Sequence, residues 1–274
     1  MKKTSVATLV FLGASVLAAS VIRFFQYVSI IDFNTGFYLS GAEGAGMLIY
    51  IALAVFGAVF IALAVVGKKS GADPYSFSSE GMGDKATIPL GIFYLIGAVT
   101  GLFSLLGGSD LFGTAVSGVS CIALGASGLL LLNNKIPPKL IGYIQLLAAV
   151  CWFFKTSAFF SKDLVILNHS ENLIDLMGYI MATLFITASA RFFSRVETKY
   201  SRMREIISAG LTFILSGTAL ISKTAAILFG GSAVKGIGDV NFDMATAFAI
   251  SLGFIITVFT AKKEKEIEYI SAND

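Results

Sequence analysis

The chain has 274 residues, of which 56% are apolar and only 14% charged, with a formal net charge of +3. So much apolar backbone can satisfy its polar groups only as helices inside a bilayer, which excludes a soluble domain of this size. The modest charge argues against nucleic acid as a partner.

Apolar stretches near the ~20 residues needed to cross the hydrocarbon core fall at 5–31, 45–66, 87–107, 111–132, 139–160, 173–194, 205–229 and 241–261. The predicted fold class is therefore an all-α, polytopic integral membrane bundle of eight transmembrane helices, a single transmembrane domain over 1–274. The opening MKKTSVATLVFLGASVLAAS also has the form of a secretory signal, with small residues Ala18, Ala19 and Ser20 where a peptidase would cut. Apolar residues continue past Arg23 to Ile31, so a retained first helix is expected; cleavage would leave seven spans.

Glu43 stands just before the second span, and the connection at 67–86 is rich in Gly and Ser with one Pro, as in a flexible linker. The third span carries Gly97, Gly101, Ser104 and Gly108 at helical spacing, and the fourth carries Thr114, Gly118, Cys121, Gly125 and Gly128. Such small-residue stripes let helix backbones approach where no water drives association. Cys121 and Cys151 lie within spans, as small apolar fillers rather than a disulfide pair. The fifth span holds Trp152 and Lys155. The triplet Asn168-His169-Ser170 has the form of a glycosylation acceptor, and it matters only in a eukaryotic secretory membrane. Asp175 opens the sixth span, and Thr212, Ser216, Ala219 and Lys223 share one face of the seventh. The connection GGSAVKGIGD at 230–239 lacks the Gly-Lys-Ser/Thr ending of a phosphate loop. Asp243 opens the eighth span, and 262–274 forms a short tail.

Fifteen of the twenty Lys and Arg residues fall at the termini and on the second, fourth and sixth connections. Retention of positive charge in the cytoplasm then places both termini, the 67–86 loop and the tail there, and leaves an acidic outer face. Short connections and the MKK start point to a bacterial cytoplasmic membrane. A shift of 129 residues superposes Phe24-Phe25 on Phe153-Phe154 and Tyr50-Ile51 on Tyr179-Ile180. Two parallel four-helix halves, 1–136 and 137–274, would produce this match, and chance alignment of apolar sequence is the competing explanation.

Three cations stand inside odd-numbered spans at similar depth: Arg23, Lys155 and Lys223. Each lies roughly 9–13 Å below the outer boundary, where a charge is costly unless paired, hydrated or able to snorkel. If the odd helices converge, these cations form an outward-facing pocket for a carboxylate, phosphate or sulfonate, assisted by the hydroxyls of Thr156 and Ser222. The competing reading is ion pairing with Asp110, Asp175 or Asp243, with the Trp152 ring covering the Lys155 ammonium.

No complete catalytic motif is present, and an enzyme is not expected. Gly125-Ala126-Ser127-Gly128 resembles the nucleophile motif of rhomboid intramembrane proteases, which implies Ser127 as nucleophile with a histidine on a partner helix. The sole histidine, His169, lies in an outer connection at the opposite end from Ser127, and alone it holds no metal. Neither metal nor cofactor is expected. Lys223 followed by Thr224-Ala225-Ala226 faintly resembles the retinal-binding lysine of microbial rhodopsins, but no acid lies within the third span as counter-ion.

The function expected is a transporter or permease-like protein taking a small anionic or zwitterionic solute from the outer side. The alternative is a non-transporting scaffold or accessory subunit that binds another membrane protein or further copies of itself through its small-residue faces. A polar lining that runs through the bundle distinguishes the two.

Overall fold

The computed structural model describes residues 3–32, 37–69, 84–106, 111–133, 138–163, 170–194, 196, 201–231 and 239–260. These contain eight helices, each long and apolar enough to cross a membrane. They are α1 (Lys3–Ser29), α2 (Glu43–Lys69), α3 (Asp84–Leu106), α4 (Leu111–Leu132), α5 (Pro138–Asp163), α6 (Ser170–Phe193), α7 (Ser201–Phe229) and α8 (Phe242–Thr260). Between α1 and α2, two short strands, β1 (Ile31–Asp32) and β2 (Phe37–Tyr38), pair antiparallel. The protein is an integral membrane helical bundle.

Local chemistry sets the helix ends. Pro138 opens α5 at a position where a missing N–H costs nothing. Pro89 sits within the second turn of α3, near the end, where little of the backbone ladder is lost. Gly41, with φ 84°, makes the turn into α2, and Gly231, with φ 56°, follows the end of α7 in the left-handed conformation that glycine tolerates.

Helix α8 is the most enclosed: 72% of its apolar window is buried, against 22% for α2. It packs on α3 and α7 and touches α6, while α3–α4–α5–α6–α7 follow one another around it. Helices α1 and α2 lie outside this group, both against α7. The halves read from the sequence are thus interleaved in space, since α1 packs on α7 and α3 on α8.

Glycine faces set the closest approaches. A Cβ added to Gly128 would stand 2.8 Å from the Gly91 carbonyl oxygen, and one on Gly91 would stand 2.9 Å from the Gly128 carbonyl, so α3 and α4 meet backbone to backbone. Gly142 of α5 likewise abuts Ala190 of α6 and Ser194 just past its end. A Cβ on Gly118, by contrast, would meet nothing within 4 Å.

Helix α7 departs from the expected boundary. It begins at Ser201, ahead of the expected start at 205, so Arg202, read from sequence as part of a charged connection, lies inside the helix, and both Arg202 and Glu205 are buried. Side by side one turn apart, they neutralise each other, with Nη1 of Arg202 donating to Oε2 of Glu205 at 2.8 Å. Most of the 67–86 loop, the 262–274 tail, Asp110, His169 and most of the 230–239 connection lie outside the described residues.

Candidate functional site

Two buried polar clusters occupy the group formed by α3 to α8, one toward the side where α8 begins and one toward the side where α7 begins.

The first centres on Lys155 of α5. Its Nζ donates to Oδ1 of Asp243 at 2.6 Å, with side chains only 8% and 12% exposed. The Trp152 ring, one turn earlier, has its centroid 5.5 Å from the same ammonium. Tyr179 of α6 donates its hydroxyl to the second carboxylate oxygen of Asp243 at 2.8 Å. Asn241 completes the cluster. Its side-chain oxygen accepts from the Asp243 backbone N–H at 3.1 Å, capping α8, and its amide donates to Oδ2 of Asp175 at 2.9 Å. The cap is therefore Asn241, which leaves both oxygens of Asp243 free to face Lys155 and Tyr179. Thr156 donates back to the Trp152 carbonyl and meets the Thr183 hydroxyl at 3.0 Å, which ties α5 to α6 beside Lys155.

The other cations have different surroundings. Arg23 is fully buried where α1 meets the start of α2. Its Nη1 donates to Gln26 at 2.9 Å and its guanidinium lies 4.5 Å from the Tyr27 ring centroid. Gln26 in turn donates to the carbonyls of Ala45 and Gly46. This contact latches α1 to α2 and is remote in the packing order from Lys155. Lys223 is half-buried on α7 and, among the described residues, makes no ion pair or hydrogen bond. Ser222 is fully buried and donates to the Thr218 carbonyl of its own helix. Lys155, Thr156, Asp243 and Asp175 share one network, whereas Arg23, Lys223 and Ser222 stand outside it, and Asp110 lies outside the described residues.

Of the second cluster, sequence reading singled out only Ser127, in the rhomboid-like stretch. Gly128 abuts Gly91 and Leu95, which brings Ser127 level with Tyr94. Gly142 abuts Ala190 and Ser194, which brings Gln145 level with Ser189 three residues along each antiparallel helix. The Arg202 guanidinium lies 4.3 Å from the Phe192 ring centroid and 5.5 Å from that of Phe254, which puts Glu205 at the same level. Tyr94, Ser127, Gln145, Ser189 and Glu205 thus come from five successive helices, and none is more than 1% exposed. Tyr94 and Ser189 share a hydrogen bond of 3.2 Å, and Glu205 is within electrostatic reach of Tyr94. Gln145 lies ten residues from Lys155 along α5, about 15 Å at the helical rise. Between them, Trp152 Nε1 is buried without a hydrogen-bond partner.

Comparison of the chain with protein-family models, with curated proteins and with solved structures finds no match. Among the described residues no group of His, Cys, Asp and Glu could hold a metal ion.

Proposed function

We propose that the protein is a permease-like transporter for a small zwitterionic solute, bound at the Lys155–Asp243 pair. The observation that carries this reading is that α5 and α6 hold polar groups at two levels: Lys155–Asp243–Tyr179 with the half-buried Thr156–Thr183 pair beside it, and the buried Gln145 and Ser189 about 15 Å away along the helix. Polar and ionisable residues inside a membrane bundle are costly, and a helix association surface has no need of them at two depths of the bundle interior.

The pairing itself favours a zwitterion over a simple anion. Lys155 is already neutralised by Asp243, so an anion alone would have to displace a buried carboxylate and leave it unpaired. A solute with one charge of each sign, inserted between the two, replaces both partners at once: its carboxylate meets Lys155 and its ammonium meets Asp243. Tyr179 fixes the Asp243 carboxylate while this exchange occurs. The positive-inside distribution makes the α8-entry side the exterior, with both termini in the cytoplasm of a bacterial cell.

Thermal melting of the detergent-purified protein against a panel of small zwitterions and anions tests the proposal, because a ligand specific to the folded state raises the melting temperature by mass action. A rise with zwitterions that is lost in Lys155→Gln supports it. No rise with any solute overturns it and favours the scaffold reading.

A further inference from the structure

We infer that the groove between α1 and α7 holds one acyl chain of a membrane lipid, from the leaflet on the side where α7 ends. The two helices run parallel and touch at two levels. A Cβ added to Gly217 would stand 2.9 Å from Cγ1 of Val16, and Tyr27 packs with Ala226 nearer the other end. Between these contacts lies a void of about 400 Å³, walled by Leu17, Val21 and Phe24 of α1 and by Ile221 and Phe229 of α7. Ser20 and Ala225 also line it, and their small side chains among larger ones leave the space unfilled. Leu17, Val21 and Phe229 are exposed, so the groove is open sideways to the surrounding hydrocarbon.

Position and shape select the occupant. From Ile221 to Phe229 the groove runs about 12 Å at the helical rise and stops where α7 stops. That is most of one leaflet's share, about 15 Å, of the hydrocarbon core. A void of that volume and length is about 6–7 Å across, narrower than the body of a helix at about 10–12 Å. A single extended hydrocarbon chain fills such a space, and a second transmembrane helix does not. The lining presents no polar surface, because the Ser20 hydroxyl is buried away from it. Water or a headgroup would find no hydrogen bond there, so the tail lies along the groove and the headgroup beyond Phe229. Lipid tails are as apolar as this wall, so no hydrophobic force drives the chain in. An unfilled groove instead forfeits dispersion contacts along its length, and a fitted chain restores them. Helix α1 packs on the rest of the bundle chiefly through α7, so the chain lies in the seam that holds it.

The test places the full chain in vesicles containing a phospholipid with a diazirine midway along one acyl chain. After irradiation, mass spectrometry of the peptides locates the adducts. Peptides covering 17–24 and 221–229 should carry several-fold more label than the peptide covering 47–51. Met47, Leu48 and Ile51 are exposed near the start of α2, on the side where α7 ends, and report ordinary contact with bulk lipid at that depth. Ala225→Phe puts a ring into the groove and should bring its label down to the α2 level, whereas Val55→Phe on the exposed face of α2 should leave the excess intact. Should Ala225→Phe not fold, Ala225→Leu fills less of the groove and should lower the excess in part. Equal labelling of the groove and of α2 in the native chain means bulk lipid alone and overturns the inference. A groove without label means that protein covers it, and an excess that survives Ala225→Phe means that the chain lies elsewhere; both overturn it as well. The Lys155–Asp243 pair takes no part, so Lys155→Gln should keep the excess, and the two proposals fail separately.

Discussion

Lys155 and Asp243 bring opposite charges to 2.6 Å in surroundings that exclude most water, and Tyr179 holds the carboxylate from the other side. Removing one member of such a pair leaves an uncompensated charge, at a cost of about 3–5 kcal/mol. Lys155→Met should therefore destabilise by that amount, and Asp243→Asn, which keeps an acceptor for Tyr179, should also destabilise. The double variant should recover much of the loss, with a coupling of about 1–3 kcal/mol by double-mutant cycle in chemical denaturation. Lys223→Met provides the contrast: a half-buried lysine with no partner among the described residues should change stability by no more than about 0.5 kcal/mol. Equal effects for the two lysines would contradict the different surroundings described for them. That Arg23, Lys155 and Lys223 stand within spans was legible in the sequence, but their company was not. Lys155 meets an acid 88 residues away, and only tertiary packing decides which helix faces which. Gln145 was overlooked because a single neutral amide in an apolar span carries no charge signal. Glu205 was overlooked because it stands at the expected start of the seventh span, directly after Arg202 and Arg204, where a charge costs little.

At the scale of elements, the eight spans were legible because an apolar run of this length has no other stable conformation in a bilayer. Their neighbours were not, since small-residue stripes mark a contact without naming its partner. The stripe on α4 shows the difference: Gly128 meets the α3 backbone, while Gly118 on the same helix meets nothing within 4 Å. A methyl group at 128 would strike a carbonyl that cannot move without shifting α3, so Gly128→Ala should destabilise by about 1–3 kcal/mol. Gly118→Ala adds only helix propensity and should be neutral or stabilising by up to about 1 kcal/mol. Melting temperatures of the two variants in one detergent check the pair, and equal losses would show that α3 and α4 are not held by this crossing.

For the whole molecule, charge and polarity have to agree on a direction. Lys68, Lys69 and Arg191 stand at the ends of α2 and α6 on one side of the bundle, and Glu43 and Asp239 belong to the other. The Lys155–Asp243 pair lies nearer the acidic side and the Gln145 cluster nearer the basic one, so orientation decides which of them is nearer the exterior. Single cysteines at the exposed positions Lys69 and Asp239 report it, because the native thiols Cys121 and Cys151 are both buried within spans and should remain unlabelled. With the basic side cytoplasmic, a membrane-impermeant maleimide should label Asp239→Cys in intact cells and Lys69→Cys only after permeabilisation. The opposite pattern would put the Gln145 cluster nearer the exterior and make the Lys155–Asp243 pair the cytoplasmic site. The direction of proposed uptake would then reverse, although every internal contact stayed the same.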